Sequence, residues 1–177
     1  MSVQKQGNDV VNEKTGESWV YSPIVKDHFF HPRNLLLEES AEDAFDARGT
    51  VGSPACGDVM DVWIKVEQKT ERLVDFKWKT FGCGSAISAT SMFSVMLLEN
   101  GGATLEEALK VKPQHIMERL GGLPNRKIHC SVLVDKAFRK AVNTYFRNTE
   151  QYARIMNETG RVVDEKLNIT DHDIEEA

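Results

Sequence analysis

The chain has 177 residues, of which 41% are hydrophobic, and carries 27 acidic against 22 basic side chains, for a formal net charge of -5. This length suffices for one domain whose core needs no disulfides, and the acidic excess argues against a nucleic-acid-binding protein, which is usually basic. No apolar run approaches the roughly 20 residues that a membrane helix requires, so we expect a globular protein that neither binds nucleic acid nor spans a membrane.

The first predicted element follows a polar leader. Residues 1–18 show no sustained apolar period, whereas the stretch from Trp19 to Pro32 repeats apolar side chains at steps of three and four residues. This spacing is typical of one face of an amphipathic helix, which the proline ends. The residues expected on the buried face are Tyr21, Ile24, Val25, His28 and Phe29.

Two strands are predicted next. Apolar and polar side chains alternate in residues 59–66 and 73–80, as in strands with one buried face. The short polar segment 67–72 between them indicates a reversal, so the pair should be antiparallel, and residues 47–51 are a weaker third strand. The side chains expected on the buried faces are Met60, Val62, Ile64 and Val66 in the first strand and Val74, Phe76 and Trp78 in the second.

The period then becomes helical after Gly84. Ser85 is a candidate cap for this helix, and the glycines at 101 and 102 are expected to stop it. The side chains available to pack are Ile87, Phe93, Met96 and Leu97.

Three further helices are predicted. Thr104 to Glu107 is a capping-box signature, and Pro113 suits the first turn of another short helix that the glycines at 121 and 122 close. The longest amphipathic segment starts near His129. Its expected buried face comprises Val134, Ala137, Phe138, Ala141, Val142 and Tyr145.

These elements predict an α+β fold, with a small three-stranded antiparallel sheet packed against helices in two layers. We expect this domain to occupy residues 19–150, after the leader at residues 1–18. Residues 151–177 form an acidic extension with a net charge of -4 and too few apolar side chains to decide between a short helix and a strand.

The chain has three cysteines, Cys56, Cys83 and Cys130, each at the end of a predicted element. The leader lacks the pattern of a secretory signal, so we expect a cytoplasmic location with reduced thiols. Glycines flank Cys56 and Cys83 and leave room for a large ligand or another protein's loop. Cys83 and Cys130 are near helix N-termini, which favour the thiolate that binds metal or attacks sulfur.

No two cysteines have zinc-finger spacing, so the fold would have to build any shared site. Three thiolates with His129 or Asp58 as a fourth ligand would suit zinc or an iron–sulfur cluster. A site completed by histidine or carboxylate should be labile.

Three sequence blocks carry a specific resemblance: ACGDVM at 55–60, FKWKTFGCGSAI at 76–87 and LPNRKIHCS at 123–131. Together with residues 21–34, which resemble the family's first helix, they resemble the IscU/NifU-type iron–sulfur cluster scaffold proteins, in the same order and over about residues 19–147. The resemblance implies the α+β scaffold fold and a protein that builds a [2Fe–2S] cluster rather than a turnover enzyme.

The resemblance also implies roles for individual residues. Cys56, Cys83 and Cys130 would be ligands to the cluster or to zinc, or sulfur acceptors. Asp58 and His129 would be alternative fourth ligands, and Lys127 would assist at the site. The implied partners are a cysteine desulfurase, an iron donor, a ferredoxin-type electron donor and apo iron–sulfur proteins, with the chain a monomer or homodimer.

One departure concerns a chaperone partner. The family's recognition stretch usually reads Leu-Pro-Pro-x-Lys, whereas this chain has asparagine and arginine at 125 and 126. The lost second proline removes a fixed φ, so we expect weaker recognition by a specialised Hsp70 and its J-type partner.

Two alternative functions remain open. A zinc-bound sulfur acceptor of the SufU type is the first, although that group usually has a longer insertion before its third cysteine and lacks the equivalent of His129. A cysteine hydrolase or acyltransferase using Cys, His and Asp is the second. Because His129 and Cys130 are adjacent on a helix and point in different directions, they are poorly placed to act as base and nucleophile.

Overall fold

The computed structural model describes residues 21–53, 57–123 and 128–157. Within these ranges, three strands and five α-helices follow one another along the chain. Their bounds are α1 Pro23–Phe30, β1 Ala47–Ser53, β2 Asp58–Glu67, β3 Arg72–Phe81, α2 Gly84–Leu98, α3 Leu105–Leu109, α4 Pro113–Arg119 and α5 Ile128–Asn148, with short 3₁₀ turns at Glu39–Ala44, Glu99–Gly101 and Tyr152–Arg154.

The three strands form one antiparallel sheet in the order β1-β2-β3. The helices α2 and α5 pack on it, and α1 and α4 pack on those helices. This arrangement confirms the predicted α+β class and all three predicted strands. The alternating inner residues of β2 are buried as predicted: Met60, Val62, Ile64 and Val66.

The predicted inner face of β3 is wrong at one residue. Val74 is exposed and Leu73 is fully buried in its place. The cause is a bulge: Lys65 pairs with Asp75, but the next residue, Val66, pairs with Leu73, so Val74 is an extra residue in β3. A bulge shifts the alternation by one position, and Phe76 and Trp78 continue the inner face beyond it.

The predicted face of α1 is only partly right. Val25 and His28 are buried, whereas Ile24 and Phe29 are 43% and 40% exposed. The helix has eight residues, beginning at Pro23 after its cap Ser22. Because so short a helix packs mainly on α2, a narrow stripe is buried and its neighbours face solvent.

The start of α2 also differs from the prediction. Cys83 is the N-cap and Ser85 lies inside the first turn, where its hydroxyl is 2.9 Å from the Tyr21 hydroxyl. Most of α2 is buried, although Ile87 and Met96 only partly. Several buried residues of α2 have small side chains whose hydroxyl groups donate to backbone carbonyls. The Ser88 hydroxyl is 2.9 Å from the carbonyl oxygens of both Gly84 and Val25. Such small side chains let α1 lie close to α2.

The capping predictions for the short helices are confirmed. Thr104 and Glu107 form a reciprocal capping box at α3, and Pro113 is the first residue of α4. Gly121 and Gly122, which follow α4, both have positive φ, which glycine adopts without strain.

Helix α5 packs on β1 and runs antiparallel to it, since Gly49 lies beside Ala137 and Ala141 while Asn148 lies beside Asp46. Its whole predicted face is buried, from Val134 to Tyr145. Near its C-terminus Asn148 donates to the carbonyl of Asp46 at 3.0 Å, just before β1. Ile155, after the helix, is fully buried in the same core. None of the helices in the described ranges is long and apolar enough to cross a membrane.

A buried histidine joins α1 to α2. His28 is 6% exposed, and its Nδ1 is 2.8 Å from the hydroxyl of Ser91, which also accepts a hydrogen bond from the Arg33 backbone. Burial lowers the pKa of His28 below its ordinary 6.5, and the charge of Arg33 acts in the same direction. Asp27 acts in the opposite direction, with a smaller effect.

This lowered pKa predicts acid-sensitive stability. Because the unfolded chain protonates His28 more readily than the folded chain, the free energy of unfolding should fall as the pH drops below 6.5. Urea unfolding at about pH 7.5 and about pH 5.5 measures the difference. His28→Gln should reduce this pH dependence, whereas His31→Gln, at an exposed histidine of the same segment, should keep it. Equal pH dependence in the parent and His28→Gln would contradict the assignment.

Candidate metal centre

The candidate site lies at one end of the sheet. Ser53, the last residue of β1, pairs with Asp58, the first residue of β2. Val59 in turn pairs with Phe81, the last residue of β3. Cys83 follows two residues later, so the end of β1, the start of β2 and the β3–α2 connection share this edge.

Cys83 is the N-cap of α2, a helix of 15 residues. Its carbonyl accepts the N–H groups of Ala86 and Ile87 at 2.9 and 3.1 Å, while its side chain makes no capping hydrogen bond. The residue is half-buried. The N-terminus of a helix interacts favourably with negative charge, so this position suits an anionic ligand such as sulfide or a metal-bound thiolate.

Asp58 is the most unusual side chain at this edge. It is 6% exposed, and its Oδ2 is buried without a hydrogen-bond partner, the one such side-chain atom in the part of the chain that the structure describes. A buried carboxylate oxygen that lacks a partner is energetically costly, so it needs a functional explanation. Coordination of a cation would supply the missing interaction.

Gly82 brings Asp58 and Cys83 together. A side-chain carbon at position 82 would lie 3.1 Å from Cγ of Asp58 and 2.9 Å from the hydroxyl oxygen of Thr80. Glycine therefore lets the carboxylate lie against the backbone immediately before Cys83. The glycine next to Cys83 predicted space for a ligand, but the sequence could not show that the Asp58 carboxylate occupies this space.

The remaining candidates are described only in part. Cys56 and Lys127 lie outside the described residues, although the connection that contains Cys56 starts and ends at the paired residues Ser53 and Asp58. His129 and Cys130 lie in the first turn of α5, where the backbone alone is described. The complete ligand set therefore stays a prediction.

The start of α5 is level with this edge of the sheet. A side-chain carbon at Gly49 would be 2.2 Å from the Ala137 carbonyl oxygen and 2.4 Å from the Ala141 nitrogen, so the helix backbone lies on β1 there. From Gly49 to Ser53 the strand advances about 13 Å. From the middle of the Ala137–Ala141 turn back to Cys130, the helix advances about 13 Å as well. The backbone of Cys130 is thus level with the end of β1, which supports a shared site.

Only two of the six predicted site residues, Asp58 and Cys83, have described side chains. Among the side chains that the structure describes, no group of three histidine, cysteine, aspartate or glutamate residues is close enough to hold a metal ion. The predicted third and fourth ligands, among Cys56, His129 and Cys130, are residues whose side chains lie outside that set.

Phe29 was predicted as a buried helix residue but is found at the site. Its ring lies beside Gly84, the residue after Cys83, where a side-chain carbon would be only 3.2 Å from it. The glycine at 84 was a signal for such a close approach. The sequence could not show which side chain uses it.

The chain is similar to proteins of known role. It is 46% identical over 136 residues to the iron–sulfur cluster assembly scaffold protein IscU 1 of Archaeoglobus fulgidus, which covers 77% of this chain and 83% of that protein. It is 41% identical over 128 residues to the scaffold protein IscU of Aquifex aeolicus, covering 72% and 77% of the two chains.

A solved structure and a family model agree with these similarities. The crystal structure of a nitrogen-fixing NifU-like protein (N-terminal) from Brucella abortus matches with a TM-score of 0.51 at 17% identity, over 71% of this chain and 94% of that chain, which shows the same fold. The family model described as NifU-like N terminal domain matches residues 20–152. This chain belongs to the NifU-like N-terminal domain family, as the three sequence blocks indicated.

Proposed function

We propose that this protein is an iron–sulfur cluster assembly scaffold: it receives sulfur, binds iron, builds a [2Fe–2S] cluster and passes that cluster to apo-proteins. The observation that carries the proposal is the buried carboxylate of Asp58, whose Oδ2 has no hydrogen-bond partner among the described residues and which lies against Gly82, the residue before Cys83. The scaffold role of the Archaeoglobus and Aquifex relatives supports it. The SufU-type acceptor has no observation in its favour beyond the three cysteines.

The proposed sulfur-transfer step is a thiol exchange. A scaffold thiolate attacks the outer sulfur of a persulfide carried by a cysteine desulfurase, and the donor's own thiolate leaves. The scaffold cysteine now carries the persulfide. An electron donor of the ferredoxin type then reduces that sulfur to sulfide, which combines with iron.

The residues of the proposed site have different roles in holding the cluster. Cys56, Cys83 and Cys130 supply three soft thiolate ligands, which suit iron–sulfur clusters. Asp58 or His129 completes the set, and Lys127 assists. A carboxylate is a weaker ligand to such a cluster than a fourth thiolate, so the cluster is held loosely enough to leave.

The protein would act as a platform and carrier rather than as a turnover enzyme. A single site made from one sheet edge and two helix ends can present the cluster to recipients at the surface. The cytoplasmic location, the choice between monomer and homodimer, and the use of a specialised Hsp70 stay predictions.

Anaerobic reconstitution tests the proposal. The purified chain is incubated with ferrous iron, sulfide and thiol, and we expect a reddish-brown protein whose visible absorbance moves to an apo-ferredoxin on mixing. The control is the same chain with its thiols alkylated beforehand, which should stay colourless. A colourless parent that holds one zinc ion would instead indicate the SufU-type acceptor, and a colourless parent that holds neither metal would contradict both.

A further inference from the structure

The ring of Phe29 covers the backbone at the start of α2. A side-chain carbon at Gly84 would lie 3.2 Å from both Cδ2 and Cε2 of Phe29. The ring edge thus occupies the space that a side chain at position 84 would need. Gly84 follows Cys83 directly, so the ring lies against the residue next to the half-buried Cys83.

The helix that carries Phe29 is anchored firmly enough to keep the ring there. Val25 is almost fully buried, and its carbonyl accepts the hydroxyl of Ser88 at 2.9 Å. One turn later His28 contacts the hydroxyl of Ser91 at 2.8 Å. These bonds attach α1 to two successive turns of α2, on residues that precede Phe29 in the helix.

The neighbouring ring provides a contrast. Phe30 is 70% exposed and meets Phe29 edge to face, with the ring centroids 4.9 Å apart. Phe29 itself is 40% exposed, so one part of its ring rests on Gly84 while another part faces solvent. Of the two adjacent phenylalanines, Phe29 is therefore the one whose ring lies against Gly84, the residue after Cys83.

The feature that marks this place as a ligand site is independent of the thiol. The Asp58 carboxylate, whose Oδ2 is buried without a hydrogen-bond partner in the described part of the chain, lies against Gly82 in the same short connection. The carboxylate of Asp58 thus lies against Gly82, and the ring of Phe29 lies against Gly84.

We propose that Phe29 is a positioning residue that screens Cys83 on the side of α1, so that a sulfur donor must approach from another side. This inference rests on the proposed function, because the sulfur donor whose approach is restricted is the partner that the proposed function gives to Cys83. A bulky reagent should be excluded more strongly than a small one, because an aromatic ring fixed beside a thiol obstructs large groups first.

The test uses the full chain with Cys56→Ser and Cys130→Ser, so that Cys83 is the only thiol. Its alkylation rate is measured with iodoacetamide as the small reagent and N-pyrenylmaleimide as the bulky one. In Phe29→Ala the rate with the bulky reagent should rise about fivefold and that with the small reagent less than about twofold, because access controls thiol reactivity. Phe29→Tyr keeps a ring and should restore the parental rates, and Phe30→Ala should leave both rates unchanged.

Other outcomes would overturn the proposal. An unchanged rate with the bulky reagent, or an equal rise in Phe30→Ala, would show that Phe29 does not screen the thiol. Equal increases with both reagents in Phe29→Ala would show general loosening of α1 instead of screening. Alkylation needs no cluster, so this result stands apart from reconstitution, and failure of the chain to assemble a cluster would overturn only the proposed function.

Discussion

Replacement of Gly49 by alanine is expected to lower the free energy of unfolding by about 3 kcal/mol, because the added carbon collides with a helix backbone. The new carbon would be 2.2 Å from the Ala137 carbonyl oxygen and 2.4 Å from the Ala141 nitrogen. Real side-chain carbons do not approach backbone atoms so closely, and backbone within a helix cannot rotate aside as a side chain can. Relief requires α5 to move away from β1.

Gly52→Ala is the matched control for this prediction. Gly52 lies on the same strand, but no atom lies within 4 Å of the position that its side-chain carbon would take. Urea unfolding should therefore place Gly52→Ala within about 0.5 kcal/mol of the parent. Equal stabilities for the two glycine variants would show that α5 is not seated on β1 as described. Because α5 carries His129 and Cys130, Gly49→Ala should also weaken cluster assembly.

Replacement of Asp58 by alanine is expected to stabilise the metal-free protein. Its free energy of unfolding should rise by about 1–3 kcal/mol, whereas that of Gly49→Ala should fall. The variant removes a buried carboxylate whose Oδ2 has no hydrogen-bond partner among the described residues. A group that destabilises the fold in this way is characteristic of a functional site, where stability is given up for activity. The comparison requires only unfolding curves of metal-free protein.

The same variant should hold a reconstituted cluster longer. If Asp58 is the oxygen ligand that promotes exchange, its removal slows loss of visible absorbance during transfer to an apo-ferredoxin. Asp61→Ala is the control, since Asp61 is on the same strand but its carboxylate is paired with Arg48 at 2.8 Å. A half-life in Asp58→Ala that is unchanged or shorter would contradict the role given to this carboxylate.

Features set by neighbouring residues could be predicted from the sequence. The alternation in β2, the capping box from Thr104 to Glu107 and the proline at the start of α4 each depend on a few consecutive side chains. The long face of α5 was likewise visible, because six buried residues at helical spacing leave little ambiguity. The three sequence blocks indicated the family that the comparisons confirm.

Features set by packing could not be predicted. The bulge at Val74 depends on how β3 pairs with β2, and alternation alone places that residue on the wrong face. The exposure of Phe29 depends on where α1 meets α2, and its contact with Gly84 joins residues that are far apart in the chain. The cap of α2 is Cys83 because the backbone turns there, although Ser85 has the better capping side chain.

The proximity of the candidate ligands is also a feature set by packing, which the sequence could not predict. Spacing along the chain indicated only that the fold would have to assemble a site. The structure places Asp58 beside the Gly82–Cys83 connection and the start of α5 level with the same edge. It also identifies the unpartnered oxygen of Asp58, which no sequence pattern could reveal.

The most direct test of the account is anaerobic cluster reconstitution of three single variants: Cys56→Ser, Cys83→Ser and Cys130→Ser. If the three thiolates form one site, each variant should lose the visible absorbance of a stable cluster while its circular dichroism and unfolding curve stay close to those of the parent. The Asp61→Ala protein, treated in the same way, should reconstitute normally. Parental absorbance in all three cysteine variants would contradict the shared site.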